Sequence, residues 1–264
     1  MKANILSIEG KKIKEIDLPK CFSKEIREDL ISKVLEVKKT KQPYAPSLVA
    51  GKQHSASGKM RHRRHVWQTH YGKGMSRVPR KVMSRRGTQF NWVGAEVSAM
   101  RGGRRAHPPK VLSMINTQKI NKKELKIAFG SAISATANEK MMIKKYGKLK
   151  DKKIENLPLI VESKLVSLKT KDLISSLKKV LGEQLFELAL KKKTVRSGKG
   201  KARGRKYKSN AGLLLVMGEK EKLKTNAFDI SDIRNLSIVD LAKGGVGRLT
   251  LYTENAIKEL GEKK

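Results

Sequence analysis

Apolar residues recur at helical spacing in several stretches of the chain, and these stretches predict its helices. Ser23 is expected to cap a first helix over residues 23–38. Asn121 and Glu124 have the spacing of a capping box, which would open a second long helix. Further helices are predicted over residues 170–181, 183–190 and 253–260.

Short apolar runs alternate with these helical stretches, which is typical of a mainly parallel sheet. Strands of such a sheet are buried on both faces, so that their sequences are continuously apolar. The runs lie at residues 159–162, 213–217, 236–239 and 249–252, and residues 4–8 and 12–18 resemble a hairpin. The sequence therefore predicts a three-layer α/β/α body, formed by residues 1–42 and 111–264.

The segment 43–110 has few apolar residues at regular spacing and contains eight Gly and five of the seven Pro. We interpret it as a long extended arm, inserted between the first two long helices. A disordered insert is the alternative for the free protein. Against this alternative, the segment contains Trp67, Phe90 and Trp92, whereas disordered segments are depleted in aromatic residues.

The charge of the chain is strongly positive and concentrated in two segments. Lys and Arg number 61 against 24 Asp and Glu, which gives a net charge of +37. The arm has 15 Lys or Arg and a single acid, Glu96, while residues 191–210 have ten Lys or Arg and no acid. So much like charge repels itself unless a polyanion lies against it, which predicts a nucleic-acid partner.

Other classes of protein fit the sequence poorly. No apolar run approaches the roughly 20 residues that cross a bilayer, so we expect no membrane association. The single cysteine, Cys21, excludes an intramolecular disulfide and a cysteine-based zinc site within one chain. We expect a soluble, cytoplasmic protein.

Four histidines of the arm, His54, His62, His65 and His70, have the clustering of a metal site. Zinc needs about four Cys, His or carboxylate ligands, but the only nearby acid is Glu96, and the neighbouring arginines repel a cation. We therefore expect no metal, and interpret these histidines as hydrogen-bonding to phosphates or stacking on bases.

No catalytic arrangement is evident in the sequence. The glycine-rich stretch 198–204 lacks the spacing of a nucleotide-binding P-loop, and 244–247 is not a dinucleotide fingerprint. No Ser/His/Asp or Cys/His set stands out. We expect neither a cofactor nor an enzymatic activity.

Both basic segments have the chemistry of RNA contact, because Arg binds phosphates with two donors and aromatic rings stack on unpaired bases. Proline within the arm disfavours the short recognition helix of a sequence-specific DNA reader. The residues predicted to contact RNA are Lys52, Lys59, Arg61, Arg63, Arg64, Trp67, Lys73, Arg77, Arg80, Arg85, Arg86, Trp92, Arg101, Arg104, Arg105, Arg196, Lys199, Lys201, Arg203 and Arg205.

Five segments, in this order, resemble the L four family of large-subunit ribosomal proteins in its archaeal and eukaryotic form. They are YGKGMSRVPR at 71–80, RGGRRAHPP at 101–109, NKKELKIAFGSAISATA at 121–137, RSGKGKARGR at 196–205 and GRLTLYT at 247–253. Each segment alone is a weak signal, but together they cover nearly the whole chain.

This resemblance implies an α/β domain on the outside of the large subunit and an arm that reaches through the rRNA. The arm tip would line a narrow part of the nascent-peptide exit tunnel, opposite a loop of ribosomal protein L twenty-two. The tip is expected between residues 72 and 103, with bulky residues at 89–92 as a departure from the family. The predicted tip residues are Gly72, Gly74, Arg77, Pro79, Arg80 and Arg85.

The resemblance implies large-subunit rRNA, neighbouring ribosomal proteins and the nascent polypeptide as partners, with no catalytic residues and no homo-oligomer. An RNA-modifying enzyme with a basic RNA-binding arm is the alternative. That enzyme would need a cofactor pocket at a strand end, with a glycine-rich turn and a nearby acid, and the sequence offers none.

Overall fold

The computed structural model describes residues 1–39, 61, 63–101, 103–149, 154 and 156–262. The chain divides into two compact units. Residues 1–39 and 119–264 form the body unit, and residues 40–118 form the insert unit. The insert unit is slightly longer at both ends than the predicted arm.

Helices and strands alternate along most of the described chain. The helices are α1 (Glu28–Lys39), α2 (Lys122–Thr136), α3 (Glu139–Lys145), α4 (Thr170–Ala189), α5 (Ile238–Leu241) and α6 (Glu254–Glu262). The strands are β1 (Lys2–Leu6), β2 (Lys12–Asp17), β3 (Arg80–Arg86), β4 (Gln89–Gly94), β5 (Leu159–Val161), β6 (Lys193–Val195), β7 (Tyr207–Ser209), β8 (Leu214–Met217), β9 (Asp229–Asp232) and β10 (Thr250–Thr253).

The described residues of the body unit form a six-stranded sheet in the order β2-β1-β5-β10-β8-β9. Within this six-stranded sheet, only β1 and β2 pair antiparallel. They form the predicted N-terminal hairpin, with Ala3 opposite Ile16. The other neighbours are parallel; in β10, Tyr252 is in register with Ile160 on one side and Val216 on the other. The prediction of a mainly parallel sheet is confirmed.

Apolar side chains of the sheet alternate between two hydrophobic clusters, one on each face. Ile160, Val216 and Tyr252 contribute to a cluster that includes residues of α1, α2, α5 and α6. Val161 and Leu215 contribute to the other cluster, which includes residues of α3 and α4. The three-layer α/β/α body is therefore confirmed.

The predicted Ser23 cap is wrong, because Ser23 ends a short 3-10 turn and α1 begins only at Glu28. The hydroxyls of Ser131 and Ser134 on α2 donate to the carbonyls of Glu25 and Lys24, each at 2.7 Å. These carbonyls are thus bound to another helix and do not start α1.

The apolar run 236–239 is not a strand, because α5 begins within it. Ser237 and Asp240 form a capping box at its start, with the Ser237 hydroxyl 2.7 Å from the Asp240 carboxylate. The strand that follows β8 in the sheet is instead β9, whose sequence, DISD, has no apolar run.

Other helix boundaries follow the sequence closely. Asn121 and Glu124 form the predicted capping box at the start of α2. The predicted helices 170–181 and 183–190 correspond to the two halves of α4, which is interrupted at Gly182 (φ 71°, ψ 166°). Glycine tolerates this left-handed φ, which a side chain would disfavour.

Candidate nucleic-acid interface

Residues 191–210 form a basic hairpin on the body unit. Strands β6 and β7 pair antiparallel, with Val195 opposite Tyr207, and the Arg196 N–H donates to the Lys206 carbonyl at 2.9 Å. A 3-10 turn over Lys199–Ala202 closes the hairpin. The backbone therefore holds the predicted basic loop in a defined conformation.

Cations of the basic hairpin are exposed, and most have no acidic partner. Lys191 pairs with Asp229 at 2.6 Å and Lys192 with Glu187 at 3.1 Å. Within the described part of the chain, the remaining eight Lys and Arg have no ion pair with a carboxylate. These eight include all five predicted RNA contacts of this segment, which the hairpin therefore brings together: Arg196, Lys199, Lys201, Arg203 and Arg205.

Tyr207 adds an aromatic ring to this surface, and the sequence-based list of contacts missed it. The ring is 47% exposed, and its centroid lies 4.3 Å from the Lys193 Nζ and 5.6 Å from the Lys206 Nζ. A cation over an aromatic face is an attractive arrangement. The signal in the sequence was an aromatic residue between lysines.

A cluster of charged groups around the buried Arg248 lies at the base of the basic hairpin. The Asp229 carboxylate accepts from Lys191 of the hairpin, from Lys243 at 2.7 Å and from Arg248. The fully buried Arg248 also donates to the carbonyls of Gly212 at 2.9 Å and Asp240 at 2.7 Å. Burial opposes ionisation of Asp229, but the three hydrogen bonds outweigh it and hold the pKa of this carboxyl well below its usual value.

Asn210 closes the hairpin on its other strand. Its side-chain amide donates to the Leu190 carbonyl at 2.9 Å, and its side-chain oxygen accepts from the Lys192 N–H at 2.8 Å. Both ends of the hairpin are thus tied together by hydrogen bonds. The cations are presented from a fixed base, which lowers the entropy lost when they bind a partner.

In the insert unit, β3 and β4 form a second hairpin. Arg80 lies opposite Gly94 and Arg86 opposite Gln89, and the turn contains Gly87 at φ 63°. The Ala95 N–H donates to the Pro79 carbonyl at 2.8 Å and extends the pairing. Part of the predicted extended arm is therefore a paired hairpin.

An aromatic cluster lies beside this hairpin. The Trp67 and Trp92 rings meet edge to face with centroids 5.4 Å apart, and His70 lies 6.2 Å from Trp92. His70 is buried, and burial together with the Arg80 and Lys73 cations lowers its pKa, which favours the neutral imidazole. Of the histidines predicted to contact RNA, His70 is thus buried and His65 is exposed, and that contact stays a prediction.

Arg80, predicted to contact RNA and to lie at the tip, uses its guanidinium within the insert unit. It donates to the Trp92 carbonyl at 3.1 Å and to the carbonyl and hydroxyl of Ser76 at 3.1 and 3.0 Å. Arg80 is half-buried and ties the start of β3 to β4, and its contact with RNA and its place at the tip stay predictions. By contrast, Arg77 is exposed and lies over the Tyr71 ring at 4.3 Å.

Most other predicted contacts of the insert unit are exposed. Trp92 is half-buried in the aromatic cluster, and Pro79 is half-buried before β3. Gly72 and Gly74 have left-handed φ values of 72° and 64°. Lys52 and Lys59, like His54 and His62, lie outside the described residues. The exposed predicted residues are Arg61, Arg63, Arg64, Trp67, Lys73, Arg77, Arg85, Arg86, Arg101, Arg104 and Arg105.

The described residues contain neither a metal-binding cluster nor a membrane-spanning helix. No group of three or more His, Cys, Asp or Glu side chains is placed to hold a metal ion there. Among the helices described, none has the length and apolar character that crossing a membrane requires.

Comparison with known proteins gives one consistent result. Residues 16–263 match the family described as "Ribosomal protein L4/L1 family". The chain is similar to "Large ribosomal subunit protein uL4" of Nanoarchaeum equitans, at 36% identity over 273 residues that cover 100% of this chain and 99% of the relative. The proteins of the same name from Methanocaldococcus jannaschii (37% identity, 100% and 99% covered) and Archaeoglobus fulgidus (34% identity, 99% and 99% covered) are also similar.

Proposed function

The chain belongs to the ribosomal protein L4/L1 family, and from this premise we propose that its basic hairpin and insert unit bind large-subunit rRNA. The protein is a structural constituent of the large ribosomal subunit, and its location is therefore cytoplasmic. Other ribosomal proteins of that subunit are its neighbours. No finding favours the alternative of an RNA-modifying enzyme, and we propose that the protein acts without catalysis.

One observation carries the rRNA-binding proposal. Eight cations of the basic hairpin point into solvent without a carboxylate partner in the described structure. Assembling so many like charges on a fixed backbone is costly in isolation, and rRNA phosphates offset this cost. Arg196, Arg203 and Arg205 can each bind a phosphate with two donors.

We further propose that the insert unit reaches the nascent-peptide exit tunnel, with ribosomal protein L twenty-two opposite it. Gly72, Gly74, Arg77 and Arg85 are exposed, and apart from the glycine and its two chain neighbours no residue comes within 4 Å of a Cβ built on either glycine. A tunnel wall must stay wet and must not bind the passing peptide tightly, so small and charged residues suit it. Arg80 is left out of this proposal for the reason given above.

Site-specific crosslinking tests the tunnel proposal. A photoreactive amino acid is placed at Arg77 or at Arg85 in ribosomes that are stalled with a long nascent peptide. We expect at least one of the two positions to crosslink to that peptide. Lys171, exposed on α4 of the body unit, is the matched control and should give no peptide crosslink. Crosslinks from both test sites to rRNA alone would contradict the tunnel placement but not the binding of rRNA.

A further inference from the structure

An open pocket of about 620 Å³ lies within the insert unit, lined by residues between Arg64 and Lys73. This volume is in the range of about 300–1,000 Å³ that is usual for small-ligand sites. We propose that the pocket binds a single unpaired RNA base together with its phosphate. The inference rests on the proposed binding of rRNA and assigns one type of RNA contact to one site.

Trp67 supplies the stacking surface of this pocket. Its side chain is 66% exposed, although its ring is supported by the edge-to-face contact with Trp92. His65 and Gln68, on either side of it, have left-handed φ values of 57° and 66°, and the Thr69 N–H donates to the Val66 carbonyl at 3.2 Å. This tight turn holds a large apolar ring toward solvent, which is the arrangement that stacks on unpaired bases.

A second aromatic wall and two cations complete the pocket. Tyr71 lines it, and the Arg77 guanidinium lies over the Tyr71 ring at 4.3 Å, an attractive contact that supports this wall. Arg64 and Lys73 are exposed and form no ion pair within the described structure. Cations beside aromatic rings match a nucleotide, which joins a planar base to a phosphate.

The backbone at the mouth of the pocket also suits a phosphate. Gly72 lines the pocket at φ 72°, and apart from its two chain neighbours no residue comes within 4 Å of a Cβ built there. A ligand can therefore approach this backbone closely. An acidic protein segment would use the two cations but would leave the exposed face of Trp67 without a stacking partner, so an RNA base fits better.

Fluorescence of the full chain tests the proposal, because both tryptophans of the protein lie in the insert unit. Trp92→Phe keeps an aromatic ring against Trp67 and leaves Trp67 as the only tryptophan. The probes are a single-stranded oligoadenylate RNA and an RNA of the same length with abasic residues. The oligoadenylate should quench Trp67 emission, whereas the abasic RNA should bind through its phosphates without quenching.

Two substitutions separate stacking from folding. Trp67→Ala should weaken oligoadenylate binding roughly tenfold and leave abasic RNA binding unchanged, whereas Trp67→Phe should keep most of the affinity. If wild type and Trp67→Ala each bind oligoadenylate and abasic RNA with equal affinity, the pocket proposal is overturned. If that binding still weakens as salt is raised, the proposed function is left intact. Stronger quenching by polyglutamate than by oligoadenylate would also overturn it. Failure to bind either RNA at low salt would contradict the proposed function itself.

Discussion

Replacing Arg196, Lys199, Lys201, Arg203 and Arg205 with Ala is expected to weaken binding to large-subunit rRNA and to flatten its salt dependence. Each phosphate contact releases counterions, with a slope of about 0.7–0.9 in log affinity against log salt, so five lost contacts should reduce the slope by about 4. The hairpin itself should persist, since the bonds that close it are made by its backbone and by Asn210. The measurement is a titration of in vitro transcribed large-subunit rRNA at several salt concentrations.

A control with the same loss of charge distinguishes a local contact from a general effect of net charge. Five exposed lysines elsewhere on the body unit serve this purpose, and replacing them should change the slope much less. If the salt slope falls equally in both variants, or stays unchanged in the hairpin variant, the proposal that the hairpin binds rRNA is contradicted. The control lysines are Lys12, Lys126, Lys140, Lys171 and Lys222.

Replacing Asp229 with Ala is expected to destabilise the body unit by about 3 kcal/mol, because the Arg248 guanidinium would remain buried without its carboxylate. The side chain of Arg248 is only 1% exposed. The change also releases Lys191, at the base of the basic hairpin. Chemical denaturation gives the free energy of unfolding. Asp232→Ala, in the same strand and without an ion pair in the described structure, should cost about 0.5 kcal/mol or less.

The sign of the pH dependence follows from the lowered pKa of Asp229. Its stabilising contribution should be complete above the ordinary aspartate pKa of about 3.9 and should be lost as the pH falls toward the lower pKa of the folded state. The stability difference between wild type and Asp229→Asn should therefore stay constant from neutral pH down to about 3.9 and narrow as the pH falls further. A difference that stays constant well below that pH, while both proteins are still folded, would show that the ionised carboxylate is not the stabilising group.

The core of the fold was predictable because parallel strands are buried on both faces and therefore carry apolar runs. The run 159–162 indicated β5, and 249–252 indicated β10. Strand β9 was missed because it pairs with β8 alone, at the end of the described sheet, and its residues are only half-buried. Such an edge position does not require an apolar sequence. The start of α1 was also missed, and the carbonyls just before it accept hydrogen bonds from α2, more than 100 residues away along the chain, which a local pattern does not show.

The candidate interface was predictable in its location but not in the role of each cation. Counting charges identified the basic hairpin, because no acid lies within it. The same count could not separate Arg80, which binds its own backbone, from Arg77, which is exposed. Nor could it show that Lys191 is held by Asp229, which lies 38 residues further along the chain. These distinctions depend on tertiary contacts between charged groups, which local patterns do not encode.

Sedimentation of cell lysate through a high-salt gradient tests the central claim most directly, namely that this protein is a structural constituent of the large subunit held by rRNA. The insert unit and the basic hairpin should bind rRNA at many phosphates at once. High salt weakens each of these contacts, but the loss of a few of them should not release the protein. We expect it to follow the large subunit in equimolar amount. A substoichiometric amount, or a protein that washes off the subunit in high salt, would contradict the account.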